Sequence, residues 1–257
     1  MGRARDGHLS IWIGGAAAGI VVLAGLAALV IWTGPRWLVA QIAKRAPGCL
    51  YAIHTPERAV ALTIDDGPAT ETGEILRVLR ENDARATFFL ISSRVAGREA
   101  TVIEILGQGH EIGHHMTRDE PSIRLSPEAF DAAVAEAGTV LSRFAPVRWL
   151  RPGSGWYTRR MVATVERAGY WCALGSIYPF DAQLPSSTFA SAFILANIRP
   201  GAVIVLHDGV ARGRRTAKTL QRVLPALRTR GYRVVTLSTL AGLGTDAATQ
   251  NRHQAAP

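Results

Sequence analysis

The sequence predicts an α/β fold, with a parallel sheet wrapped by helices and closed as a small (β/α) barrel. Three observations carry this. From Val60 onward, short apolar runs alternate with helix-length amphipathic segments. Such alternation implies parallel strands joined by helical crossovers. About seven such units follow one another, which suits a barrel better than an open sheet.

The expected strands are "VALTI" (60–64), "ATFFLIS" (86–92), "HEIGH" (110–114), "RWLRP" (148–152), "YWCALGS" (170–176), "AVIVLH" (202–207) and "YRVVTLS" (232–238). Helices are expected over 71–81, 100–108, 126–144, 158–168, 187–198 and 216–230. The 126–144 helix has the plainest start, with Ser126 as N-cap and Pro127 at the first helical position. The tail from Asp246 is expected to be disordered.

The chain has 257 residues, 48% of them apolar, enough for one sizeable core. One segment stands apart. "IWIGGAAAGIVVLAGLAALVIW" (Ile11–Trp32) is uncharged, long enough to span a bilayer, and bounded by Trp12 and Trp32. It is apolar all round, unlike a core helix. It is also long for a signal-peptide core and lacks a clear cleavage site, so a retained single-pass anchor is favoured. The organisation read from this is a tail (1–10), an anchor (11–32), an amphipathic connector (33–58), a barrel domain (59–240) and a second tail (241–257). Arg3 and Arg5 precede the span, and Arg36, Lys44 and Arg45 follow it, so charge does not fix its orientation.

The net charge of +9 fits an anionic neighbourhood such as lipid headgroups or acidic wall polymer, or simply a solvated basic face. No nucleic-acid-binding signature accompanies it, so no nucleic-acid partner is expected. Cys49 and Cys172 allow one disulfide or two unrelated buried thiols. The apolar setting of Cys172 favours the second.

In a parallel barrel, chemistry gathers where strands end. Asp65 and Asp66 end the first expected strand, His114 and His115 the third, Arg151 the fourth, and His207 and Asp208 the sixth; Asp181 follows the fifth. Two adjacent carboxylates at a strand end need a cation, a proton or open water. The rim can supply a cation.

These residues form ordered motifs: "TIDDGP" (63–68), "GHEIGHH" (109–115), "RPGSG" (151–155) and "VLHDG" (205–209). Together they resemble the polysaccharide deacetylases, carbohydrate esterase family four, over roughly 59–240. The resemblance implies a distorted (β/α) barrel and a hydrolase that removes N-acetyl groups from amino sugars of chitin-like or peptidoglycan polymers. It implies a divalent metal, zinc first, with Co2+, Mn2+ or Ni2+ as alternatives. It makes Asp66, His115 and Asp119 the ligands, and Asp65 the general base. Arg151 would orient Asp65, the Ser154 N–H would help hold the oxyanion, His207 would be the general acid backed by Asp181, and Leu206 would line the acetyl pocket. An N-acetylated glycan and the membrane are the implied partners, with no obligate protein partner. The domain is expected outside the cytoplasmic membrane.

The sequence departs from the family pattern in four places. Asp119 stands at the third ligand position, which is usually histidine. Gly153-Ser154 replaces Pro-Tyr, "YPFDAQ" leaves Asp181 as the residue to pair with His207, and His114 replaces an asparagine. His114 could serve as ligand instead of Asp119, whereas His110 reads as a packed, hydrogen-bonded histidine. Asp181 could equally be a turn residue. Two other functions remain open: a glycan-binding pseudoenzyme, and a deacetylase of a lipid-linked sugar.

Overall fold

The computed structural model describes residues 48–245, together with 21–23, 25–26, 41 and 43–44. Most of the expected anchor, the first part of the expected connector, and both expected tails up to a few residues lie outside these. Residues 21–23 and 25–26 are helical, with Val21, Val22, Leu23 and Leu26 exposed. Among the described residues, no helix is long and apolar enough to cross a membrane.

The eight described strands are β1 (Cys49–Leu50), β2 (Ala59–Gly67), β3 (Ala86–Leu90), β4 (Glu111–His114), β5 (Trp149–Leu150), β6 (Trp171–Ala173), β7 (Val203–His207) and β8 (Arg233–Val235). Their order is β1-β6-β5-β4-β3-β2-β7, with β8 also on β2, and every strand pair is parallel. The seven expected strands are all present; β1 was not foreseen. The sheet curls until its two ends meet. Residues just beyond β6 hydrogen-bond to β7, with Ser176 N donating to Val203 O at 3.0 Å and Val205 N donating to Ile177 O at 3.0 Å.

Around the sheet run α1 (Thr72–Glu81), α2 (Glu99–Gly107), α3 (Pro127–Leu141), α4 (Arg159–Arg167), α5 (Ser187–Asn197), α6 (Val210–Thr229) and α7 (Leu237–Gly242). Ser126 caps α3 as expected, accepting from Ala129 N at 3.2 Å. Two helices differ from expectation. The last strand stops at Val235, and Thr236 then caps α7 where strand was expected. Helix α6 begins at Val210, six residues before the expected start at Thr216. Gly213 lies within this unforeseen first part of the helix. It is glycine for contact reasons: a Cβ there would lie 2.6 Å from Asp208 Oδ1 and 2.7 Å from Glu71 Cβ.

All nine residues of β2 are buried, because both faces of the strand are covered. One face, with Val60, Leu62 and Ile64, packs with Ile75 and Leu79 of α1 and Leu220 and Leu224 of α6. The other, with Ala59 and Ala61, joins Phe89, Trp149, Val203 and Leu237 in a second cluster. Residues two apart share a face, so this second face continues into Thr63 and Asp65 on β2, Val205 and His207 on β7, and Arg151 past β5. The interior therefore runs from apolar at one end to ionisable at the other.

The pairing also corrects the reading of the cysteines as unrelated thiols. Cys49 and Cys172 are in-register partners on β1 and β6.

Gly201 has φ +74, and a Cβ there would stand 1.7 Å from Ile53 O. Gly201→Ala is expected to lose about 2–4 kcal/mol, combining a left-handed backbone with a rigid clash. Gly97→Ala, with φ +76 but nothing within 4 Å, should lose only the backbone part, about 1–2 kcal/mol. Denaturant melts of the two variants check the difference.

Candidate active site

At the C-terminal end of the sheet lies a cavity of about 430 Å³, lined by Asp65, Asp66, His115, Arg151, Asp181 and His207 among others. The strand-end residues singled out from sequence thus converge.

Asp65 is fixed by Arg151. The guanidinium Nη1 donates to Asp65 Oδ1 at 2.5 Å and to Thr63 Oγ1 at 2.9 Å; Nε donates to Ala173 O at 3.0 Å and Nη2 to Leu174 O at 2.9 Å. Its plane lies over the Phe89 ring, 4.1 Å from the centroid. Arg151 is only 1% exposed, so every donor named here is spent on protein. Breaking such a buried pair from one side costs about 3–5 kcal/mol.

Neighbouring strand residues ordinarily face opposite ways, but Asp65 and Asp66 do not. Asp66 has φ +67, and the β2–β3 register shifts between Asp65 and Gly67. The kink turns both carboxylates to one imidazole: His115 Nε2 lies 3.4 Å from Asp66 Oδ1 and 3.9 Å from Asp65 Oδ2. Burial alone would raise the Asp66 carboxyl; the hydrogen bond and charge of His115, with smaller contributions from the charges of His207 and Arg212, reverse this and hold it well below the usual range. Burial likewise opposes charge on His115, but Asp65 and Asp66 outweigh it and raise its pKa. His115 Nδ1 donates to Arg151 O at 2.8 Å, which aims Nε2 at the carboxylates.

His207 sits beside Asp65 in register. Its Nδ1 is 3.0 Å from Asp181 Oδ1, and its backbone N donates to Asp181 Oδ2 at 2.9 Å. Burial would lower its pKa; the Asp181 hydrogen bond and charge, with Asp65 and Asp66, push it up to about 9. Asp181 is thus a buried partner of His207 as well as part of a turn.

The expected ligand set Asp66, His115 and Asp119 is assembled only in part. Asp66 and His115 fit a metal: bonds of about 2.0–2.1 Å in a tetrahedral site put two donors about 3.3–3.4 Å apart, the separation of Oδ1 and Nε2 here. Asp119 is held elsewhere. Its Oδ2 accepts from Arg94 Nη2 at 2.8 Å and Arg212 Nη2 at 3.4 Å. Arg212 Nη1 also donates to Asp66 Oδ2 at 2.8 Å, so one guanidinium bridges both carboxylates. Among the described residues, no three His, Cys, Asp or Glu side chains converge to hold one ion. The alternative ligand, His114, is fully buried and bonded to Val134 O at 3.0 Å and Met116 N at 3.1 Å, which makes it structural. His110 is structural too, accepting from Ala86 N at 3.2 Å.

Leu206 does not line the cavity; it belongs to the core cluster against the helices, and Val205 lines the cavity instead. This follows from alternation, since 205 shares a face with His207. Ser154 reaches the cavity on a tight turn with φ +61. Sequence reading missed Arg94, Arg212 and the exposed rim aromatics Trp156 and Tyr178. Arg212 lies in the part of α6 before the expected start at Thr216, and nothing local distinguishes it from its arginine neighbours.

The family model described as polysaccharide deacetylase matches residues 52–173. The chain is 32% identical over 188 residues to a peptidoglycan-N-acetylglucosamine deacetylase of Bacillus cereus, covering 72% of this chain and 88% of that one. It is 31% identical over 192 residues to a chitooligosaccharide deacetylase of a Bradyrhizobium species, covering 69% and 88%. Among solved structures, a peptidoglycan N-acetylglucosamine deacetylase shares the fold with a TM-score of 0.72 at 24% identity, over 77% of this chain and 95% of that one. A family-four pseudoenzyme from Bacillus anthracis shares it with a TM-score of 0.69 at 22% identity, over 76% and 69%. Identity of this extent across most of a whole relative shows that the chain belongs to the polysaccharide deacetylases, hydrolases of the N-acetyl amide bond.

Proposed function

We propose that this chain removes acetyl groups from N-acetylated amino sugars of a peptidoglycan or chitin-like polymer. The reading places it outside the cytoplasmic membrane, at the rim of a distorted (β/α) barrel, with a divalent metal held by Asp66 and His115. One observation carries the chemistry: a carboxylate held by a buried arginine, Asp65, faces the same cavity as an imidazole, His207, that is backed by its own aspartate. A binding module needs neither. Two carboxylates in different environments can take different roles. Asp65 accepts the proton of the attacking water while Arg151 keeps its second oxygen turned to the cavity. His207 hands its proton to the departing amine. The Ser154 N–H would help hold the oxyanion. The metal, when bound, would polarise the acetyl carbonyl and acidify the water. Exposed Trp156, at the cavity edge, offers the kind of apolar face on which a sugar ring packs. The relatives' substrates, peptidoglycan N-acetylglucosamine and chitooligosaccharides, support the substrate class. The location rests on the apolar segment Ile11–Trp32 and on where such polymers lie.

A second reading is favoured by Arg212. Its guanidinium supplies Asp66 and Asp119 with positive charge that a metal would otherwise supply. A protein in that state would hold a glycan without turning it over.

Asp65→Asn is expected to retain metal and lose about 10²–10⁴-fold in acetate release. Asp66→Asn should lose both. Metal content and acetate release on the same preparations check this; equal metal loss in the two variants would make Asp65 a ligand.

Arg212→Ala removes a cation from Asp66 and should tighten Zn2+ binding about tenfold or more by calorimetry. If only this variant releases acetate, the wild-type chain is a binder. If wild type releases acetate as well, it is an enzyme.

His207 works protonated, so activity should persist below about pH 9 and fall as pH rises through it. Asp181→Asn removes the hydrogen bond and charge that raise it, so the alkaline limb should move down by about one to two pH units. Rate–pH profiles of the two proteins provide the measurement.

A further inference from the structure

The two cysteines of the chain lie 123 positions apart in sequence and opposite each other in space. Cys49 is on β1, the edge strand of the sheet, and its in-register partner on β6 is Cys172. Neighbouring strands run about 4.7–4.9 Å apart, inside the Cα separation of about 4.4–6.8 Å that a disulfide spans. Both side chains point to the same side, into the cluster of Met116, Leu150, Met161 and Val165. Their sulfurs are in contact, Sγ to Sγ, at 2.6 Å. Cys172 is buried and Cys49 partly exposed, so Cys49 is the member of the pair nearer to solvent.

We propose that Cys49 and Cys172 form a disulfide that staples the edge strand to the strand seating Arg151. The step is thiol–disulfide exchange with a disulfide oxidant such as oxidised glutathione. Cys49 Sγ, as thiolate, attacks the oxidant and releases one thiol; Cys172 Sγ then attacks Cys49 Sγ and releases the second. Two S–H bonds are lost, one Sγ–Sγ bond forms, and two electrons and two protons pass to the oxidant.

The position gives the bond a purpose. β1 is two residues long and is where the segment carrying the expected anchor enters the described domain. Leu174 N donates to Leu50 O at 2.7 Å, and Ala173 O and Leu174 O are the carbonyls that hold Arg151. A short edge strand held by a few hydrogen bonds frays readily. If β1 peels away, the carbonyls under Arg151 lose their backing, and Asp65 loses its fixed orientation with them. A covalent link at Cys49 prevents this. Persistence of the bond in the cell depends on the proposed location outside the cytosol; its formation in vitro does not.

The test uses the full chain, incubated in a glutathione redox buffer poised as oxidising, then acid-quenched, denatured, alkylated and mapped without reduction. The expected result is one peptide pair joined through Cys49 and Cys172, two hydrogen masses below the sum of its parts, with neither cysteine alkylated. Reduction should then lower Tm by about 4–15 °C. Cys49→Ser and Cys172→Ser should each melt at a temperature that reduction does not change. Alkylation of both cysteines after the incubation, or separate glutathione adducts on each, overturns the proposal. Because oxidation is imposed in vitro, a failure here is independent of whether the domain is shown to lie outside the membrane.

Discussion

The buried pair Arg151–Asp65 is the constraint on which the rest of the site depends. One guanidinium is bonded to β2 through Thr63 and Asp65, held from beneath by two carbonyls at the end of β6, and laid on Phe89 of β3. A charge taken out of water needs its hydrogen bonds satisfied, and these contacts take up four of the five guanidinium N–H donors. The pair thereby ties three strands together at the end where the interior turns from apolar to polar. It also leaves Asp65 a single orientation, which is what a base needs if it is to act without first reorganising.

The remaining charges are arranged around that fixed point. Asp66 is turned beside Asp65 by a left-handed backbone, an arrangement that would be repulsive were it not compensated. His115 and Arg212 compensate it from two sides. His207 answers both carboxylates and is itself anchored by Asp181. Asp65 and His207, the proposed base and acid, thus stand in register on adjacent strands. The unusual feature is the number of arginines. Arg94 and Arg212 both serve Asp119, the residue standing where a third neutral ligand would be expected. An aspartate there adds negative charge, and a basic helix start offsets it. In the proposed metal site, this exchange of one neutral donor for an acid and a base would make metal binding depend on Arg212, a residue outside the proposed ligands.

Much of the architecture was legible from local pattern. Strands β2 to β8 follow from apolar runs bounded by breakers, and α3 from Ser126-Pro127, because these signals act over a few residues. The strand-end cluster was legible for the same reason, since polar residues that end apolar runs must collect at one end of a parallel sheet. Leu206 was misplaced although its position was readable: residues two apart share a face, so a cavity-facing His207 makes Val205 its neighbour. The first six residues of α6 were not foreseen; they include Gly213, and only the close approach of Asp208 and Glu71 shows why glycine is needed there.

The sequence by itself determined the α/β class, the order of the elements and that Asp65, Asp66, His115, Arg151 and His207 would collect at one rim, because each depends on short-range periodicity and on chain direction. Tertiary structure alone decided three things. It decided that Asp65 and Asp66 face one imidazole, since the φ of Asp66 is set by the bulge against β3. It decided that Asp119 belongs to Arg94 and Arg212, since Coulomb attraction acts through space between segments 25 and 93 residues apart. It decided that Cys49 meets Cys172, since strand neighbours in a curled sheet are fixed by how the whole sheet closes and not by any pattern within either strand.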